Sequence, residues 1–186
     1  MGKFIIIILA VIIILKALSW FISASNRLKR YCVVIDESKT NVDIALAKRY
    51  DTISEMIKVA KSFAKHEAET LSDITKLRKD GDISEANIMM KNQNDAISRI
   101  YALAEAYPDL KSSAEFLNLQ NEIDDENEKL AAAKRIVNSN ISKYNQAIVS
   151  FPDSIIAKAN NMEKIDFLIE DNIQEKKSIE HFDYNI

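Results

Sequence analysis

The side chains with the greatest chemical capacity in this 186-residue chain are two histidines, one cysteine and an acidic run. A di-iron centre in a helical bundle requires glutamates and Glu-x-x-His pairs projecting inward from facing helices. Three residues before His66 stands Phe63, and three before His181 stands Ser178, so that motif is missing. His66 beside Glu67 reads instead as a solvated helix face. The run Glu122-Ile-Asp-Asp-Glu-Asn-Glu128 has the acidity of a calcium loop, but lacks the glycine and the alternating oxygen ligands such a loop needs. It continues a heptad, which places Glu126 on a core seam in need of a polar partner. Cys32 is the single cysteine, which excludes an intrachain disulfide and a multi-cysteine metal site. No histidine lies near it in sequence to activate a thiolate. With Gly2 and Gly81 the only glycines, neither a phosphate loop nor a Gly-x-Ser-x-Gly elbow can form. Asn140-Ile-Ser142 matches a glycosylation sequon, yet Asn140 falls on the same apolar seam as its neighbours. The expectation is a protein without catalytic residues, cofactor or metal, and not an enzyme. A net charge of -3 gives no general affinity for nucleic acid.

The elements that would carry these residues divide the chain between two solvents. From Phe4 to Ile22, 17 of 19 residues are apolar. As a helix this run covers about 28 Å, close to the roughly 30 Å hydrocarbon thickness of a bilayer. Lys16 interrupts it, but lies near enough to the Ile22 end for its ammonium to reach the interface. Trp20 and Phe21 stand where an aromatic belt would. The competing reading is a cleaved signal peptide with Ser23-Ala24-Ser25 as its small-residue site. The length of the run and the uninterrupted helical pattern after it favour a transmembrane anchor, contacting the lipid bilayer through residues 4–22. Arg27, Lys29 and Arg30 follow the span and only Lys3 precedes it. The positive-inside rule therefore places the C-terminal domain in the cytoplasm.

Four residues, two glycines and the two prolines Pro108 and Pro152, are too few for a sandwich or barrel, so the fold class expected is all-α. No glycine or proline occurs from Asn26 to Lys79, and Val42, Leu46, Ile53, Ile57, Ala60, Ala64, Leu71 and Ile74 step by three and four, predicting one long helix. Gly81 would end it, and Asp82 with Glu85 would cap the next, whose stripe is Ile83, Ala86, Met90, Gln93, Ile97, Ile100, Ala104 and Tyr107. Pro108 stops that helix. Ser112 with Glu115 reads as the cap of a third, with a stripe of Phe116, Leu119, Ile123, Glu126, Leu130, Ala133, Val137, Asn140, Tyr144, Ala147 and Phe151. After Pro152 comes an amphipathic segment on Ile155, Ala159, Met162, Ile165, Ile169 and Ile173, acidic and fraying toward its end.

Short connections at Gly81, Pro108 and Pro152 make successive helices antiparallel neighbours. The architecture expected is an N-terminal transmembrane helix followed by an elongated, antiparallel up-and-down four-helix bundle with coiled-coil-like packing. Its parts are a tail and anchor over residues 1–25, a bundle over 26–158 and an acidic C-terminal helix over 159–186. The first helix outreaches its partners, so its portion before about Glu55 would form a stalk.

Two sequence blocks then carry a resemblance: Val42-Asp-Ile-Ala-Leu-Ala-Lys-Arg-Tyr-Asp51 continuing to Ala64-Lys-His-Glu67, and Ala96-Ile-Ser-Arg-Ile-Tyr-Ala-Leu-Ala-Glu-Ala-Tyr-Pro-Asp-Leu-Lys111. A third runs through Phe116-Leu-Asn-Leu-Gln120, Glu126-Asn127, Tyr144-Asn145 and Phe151-Pro152. With the apolar run they resemble the LemA family of bacterial membrane proteins over about residues 3 to 157. The resemblance implies a single-pass protein with an antiparallel helical bundle, and brings no enzymatic chemistry or cofactor with it. The chain departs from the family pattern at Lys39, at Ser54-Glu55, and after Ala157.

The function expected is a membrane-anchored interaction or scaffold module that engages an unidentified protein partner. The alternative is a signal-relay element, and the apolar stripes also allow a homo-oligomer. Pairing the first two helices antiparallel about Gly81 would bring Arg49, Tyr50 and Asp51 near Glu105, Tyr107 and Asp109, the expected interaction surface.

Overall fold

The computed structural model describes residues 2–64 and 83–169. They form five helices: α1 (Gly2–Phe63), α2 (Ile83–Ala106), α3 (Pro108–Lys111), α4 (Ala114–Val149) and α5 (Asp153–Ala159), with no strand among the described residues. The chain is all-α, as its proline and glycine usage requires. The 62-residue α1 carries the apolar run without a break into the heptad region. An 18-residue window of it has a mean hydropathy of 2.9 and no part of that window is buried within the protein, so by length and composition this helix can cross a membrane. Its expected continuation to Lys79, the Gly81 terminator, Asp82, His66 and the acidic chain from residue 170 on all lie outside the described residues.

Contacts divide the chain into two compact units, the first drawn from Met1–Thr40 and Arg135–Asp166, the second from Asn41–Lys134 and Phe167–Ile186. In the second unit, Ile53, Met56, Ile57, Val59 and Ala60 of α1 share one core cluster with Ala96, Ile97, Ile100 and Ala104 of α2. Leu110 of α3 and Phe116 and Ile123 of α4 complete it. Toward the other end of the unit, Gln93 Nε2 of α2 donates to the Leu46 carbonyl of α1 at 3.0 Å. Later residues of α1 therefore meet later residues of α2, and the two helices run in the same direction. The antiparallel pairing expected between them is corrected to a parallel one. That pairing assumed a tight turn at Gly81, whereas residues 64–82 between the two helices provide more than enough chain to return along α2, about 36 Å long. α4 runs opposite to both: Phe116 joins the core at their ends, while Leu130 and Lys134 lie beside Arg49 and Met90.

Pro108 occupies the first position of α3, where its missing N–H is no loss. α4 opens on Ser113 rather than the expected Ser112: Ser113 Oγ accepts from the Phe116 N–H at 3.2 Å, three residues on, the geometry of an N-cap. Ser112 instead closes α3, donating to the Pro108 carbonyl at 2.9 Å.

In the first unit the buried apolar residues are Ala24, Leu28 and Ile35 of α1, Val137, Ile141, Tyr144 and Ile148 of α4, and Ile156 and Ala157 of α5. Arg27 pairs with Asp153, the first residue of α5. Burial thus begins at Ala24, and the free stalk expected before Glu55 is not present: α4, 36 residues long and so about 54 Å, is long enough to cover α1 over the expected stalk as well. The seam on α4 also shifts, from Asn140 and Ala147 to Ile141 and Ile148, and leaves Phe151 exposed. A strict seven-residue repeat drifts about 20° per heptad on a straight helix, so the expected stripe rotates off the core between Val137 and Ile141, more than three heptads after Phe116.

The last amphipathic helix is shorter than expected. It ends at Ala159, and its buried face is Asp153, Ile156 and Ala157 rather than Ile155 and Ala159. Asn161 takes a left-handed conformation, φ 50°, with its N–H on the Lys158 carbonyl and that of Met162 on the Ala157 carbonyl. This is a Schellman closure, for which asparagine substitutes when glycine is absent. The chain then runs back in non-helical form. Asn145 clamps it, donating to the Ile165 carbonyl at 2.8 Å and accepting from the Ile165 N–H at 2.9 Å. The Tyr144 hydroxyl donates to the Glu163 carbonyl at 3.0 Å.

Candidate functional site

A buried polar arrangement in the second unit centres on Arg49, whose side chain is carried into the helix interface on the buried face of α1 at 4% exposure. Its guanidinium donates to Gln93 Oε1 at 3.4 Å and to Asn94 Oδ1. Gln93 passes the connection back to α1 through the Leu46 carbonyl. Beside this layer is a concavity of about 170 Å³, lined by Arg49, Met90, Asn94, Asn127, Leu130, Ala131 and Lys134. Its lining mixes the donors of Arg49 and Lys134 and the carboxamides of Asn94 and Asn127 with apolar Met90, Leu130 and Ala131. It holds no pairing of nucleophile and base.

The other five residues of the expected surface divide into two groups. Tyr50 and Asp51 stay with Arg49 on α1, the first half-buried and the second exposed. Glu105, Tyr107 and Asp109 surround the α2–α3 turn, where Tyr107 packs against the core cluster and Glu105 and Asp109 are exposed. Parallel pairing sets Arg49 level with Gln93, about 18 Å along α2 from Glu105, so the six residues are not one surface. Gln93 stood on the predicted stripe as its one polar member, and this was the available signal for the Arg49 layer. Asn94, Asn127 and Lys134 carried no such mark, since their approach depends on the direction of α2.

Glu126 is buried on the α4 seam as expected, and its partner is Lys129 one turn on, with Nζ to Oε1 at 3.0 Å. Its carboxylate raises the Lys129 pKa by accepting that bond. Tyr101 is held above its ordinary range by burial and by Asp124, with Arg49 acting against them. Burial also raises the Cys32 thiol, aided by Asp36, so this half-buried cysteine is a weaker nucleophile than a free thiol. Asn140 is half-buried. Among the described residues no three His, Cys, Asp or Glu side chains converge as metal ligands.

An 18-residue apolar window at the start of α1, long and apolar enough to cross a membrane, and the helices packed against the rest of α1 define an all-α protein. The LemA family profile matches residues 38–180, and the chain belongs to the LemA family. No curated protein matches it.

Proposed function

We propose that this LemA-family protein is a membrane-anchored, non-enzymatic helical module that binds another protein at the membrane surface. The observation that supports this most is the continuity of α1: one helix supplies both an apolar segment suited to a bilayer and the first core strip of each packed unit. A module so tied is kept at the membrane, a property of use to a scaffold. The continuity of the same helix supports a second reading, relay of a change across the membrane. The bundle lies on the cytoplasmic side of a bacterial membrane, on the excess of Arg27, Lys29 and Arg30 over Lys3.

Within this reading the partner meets the α2–α3 turn, where exposed Glu105 and Asp109 flank half-buried Tyr107. The test has two stages. Full-length protein should stay with membranes through high-salt and carbonate washing, and release by either wash removes the anchor. A cysteine at Ser178 in a Cys32→Ser background should resist an impermeant maleimide in intact cells and react after lysis. Crosslinking in native membranes then identifies the partner, and Glu105→Lys with Asp109→Lys should weaken its capture while helicity is kept. Undiminished capture by that folded variant removes the turn from the interface.

A further inference from the structure

The first unit turns nearest to the membrane segment at the corner between α4 and α5. Ala24 of α1 is 0% exposed, covered only two residues beyond Ile22, the end of the apolar run. Arg27, five residues beyond it and so about 7.5 Å along the helix, holds the first residue of α5 through two hydrogen bonds from its Nε and Nη2 to the Asp153 carboxylate. The corner is therefore fixed at the level where the helix leaves the hydrocarbon.

At that level it presents apolar side chains outward. Phe151 is 82% exposed, and Val149 and Ile155 are more than half exposed on either side of it. Single exposed apolar residues need no explanation on a soluble surface, but three within seven residues at one corner do. The corner has a single carboxylate, Asp153, and Arg27 neutralises it. Lys158 on α5 and Lys29 and Arg30 on α1 are exposed nearby along the same elements. Apolar groups that can sit about 5 to 10 Å deep, with cations able to reach lipid phosphates, make up the composition of an interfacial membrane contact.

We propose that the α4–α5 corner is a second membrane contact, seating Val149, Phe151 and Ile155 at the boundary between headgroups and acyl chains of the bilayer entered by α1. The proposal rests on the membrane reading of α1. It means that the bundle is held to the bilayer at two points, with a defined tilt, rather than swinging on one helix.

Trp20 is the only tryptophan, so the native protein reports on its own anchor. Full-length protein is reconstituted in vesicles of phosphatidylcholine and phosphatidylglycerol whose acyl chains carry bromine at shallow positions. Three proteins are compared: wild type, Trp20→Phe with Phe151→Trp, and Trp20→Phe with Ile136→Trp. Ile136 is an exposed α4 residue in the same unit, farther from the corner. Quenching of Trp20 and of the residue-151 probe, at least threefold stronger than at position 136, is the expected result. Quenching at Trp20 without quenching at 151 overturns the corner contact and leaves the anchor standing. A blue-shifted but unquenched probe at 151 also overturns it, in favour of a protein surface such as a second copy of this chain. Equal quenching at 136 and 151 overturns it as well, since a whole face would then lie on lipid. Unquenched Trp20 removes the anchor, and the corner contact with it.

Discussion

The two units use their polar residues in different ways. In the first, buried Asp153 is paired by Arg27, their side chains 13% and 43% exposed, Ser38 bonds only a carbonyl of its own helix, and the rest of the interior includes Leu28, Ile35, Val137, Ile141 and Ile156. In the second, Arg49, Gln93 and Glu126 are carried inside, at one end of a cluster otherwise as aliphatic as the first. A pair whose cation stays partly in water fastens a corner at little desolvation cost. An interior polar layer has to satisfy its donors at one register, so it selects among helix alignments that aliphatic contacts would tolerate about equally. The difference matters because α1 and α2 run parallel, and the Gln93 bond to Leu46 fixes their offset.

The largest test of the comparison is at the aliphatic end of the second unit. Ile100→Asp buries an unpaired charge at a position with no exposure and should cost roughly 3 to 5 kcal/mol. Hydrogen exchange on the detergent-solubilised protein should then show protection lost over residues 53–60 and 96–104 and retained over 137–148. Equal loss in both would mean that the units unfold as one.

Next in size is the polar layer. Arg49→Ala should destabilise by about 2 kcal/mol, because Gln93 and Asn94 lose a buried charged donor. The double change Arg49→Met with Gln93→Leu should cost less than the sum of the single changes, as measured by chemical denaturation. If the layer selects register, the Arg49→Met, Gln93→Leu protein should lose hydrogen-exchange protection over residues 46–60 and 93–104 relative to wild type at equal global stability. Unchanged protection would reduce the layer to packing.

The partly exposed pair should give less. Asp153→Asn is expected to cost about 1 kcal/mol, since Arg27 stays substantially in water and solvent screens the pair. The loss should shrink at high salt, and Arg49→Ala should not show this dependence.

Smallest is the alkaline limit. Burial holds both Tyr144 and Tyr101 above the ordinary 10.0. The folded state keeps these protons while the unfolded chain releases them. Their contribution is therefore complete below about pH 10 and is lost as pH rises through the folded values. Tyr144→Phe and Tyr101→Phe should each flatten the fall in melting temperature above pH 10 while leaving it nearly level at pH 8.

Local signals and their limits can be followed residue by residue. The apolar run, the scarcity of glycine and proline, and the stripes through Leu46, Ile100 and Ile123 identify helices and most of the core, because a 3.6-residue period is a property of the backbone alone. The LemA blocks name the family on the same local basis. Gln93 and Glu126 stood out as polar members of apolar stripes, and both are buried. Asn161 as the stop of α5 was hidden because the expected terminators were glycine and proline, and a left-handed asparagine depends on which carbonyls are left open nearby.

Tertiary structure alone decided the direction of α2. Periodicity is unchanged when a helix is turned end for end, so the stripe Ile83 to Tyr107 packs as well by sequence in either sense. What distinguishes them is where Gln93 finds the Leu46 carbonyl and where Ala104 finds the cluster beside Ala60. That choice separates Arg49 from Glu105 and Asp109, and a surface that looked continuous in sequence becomes a buried layer and a distant turn. The pairing of Arg27 with Asp153 has the same origin: 126 residues of chain must fold before these charges meet, and Coulomb attraction between them carries no sign of itself in the order of the residues.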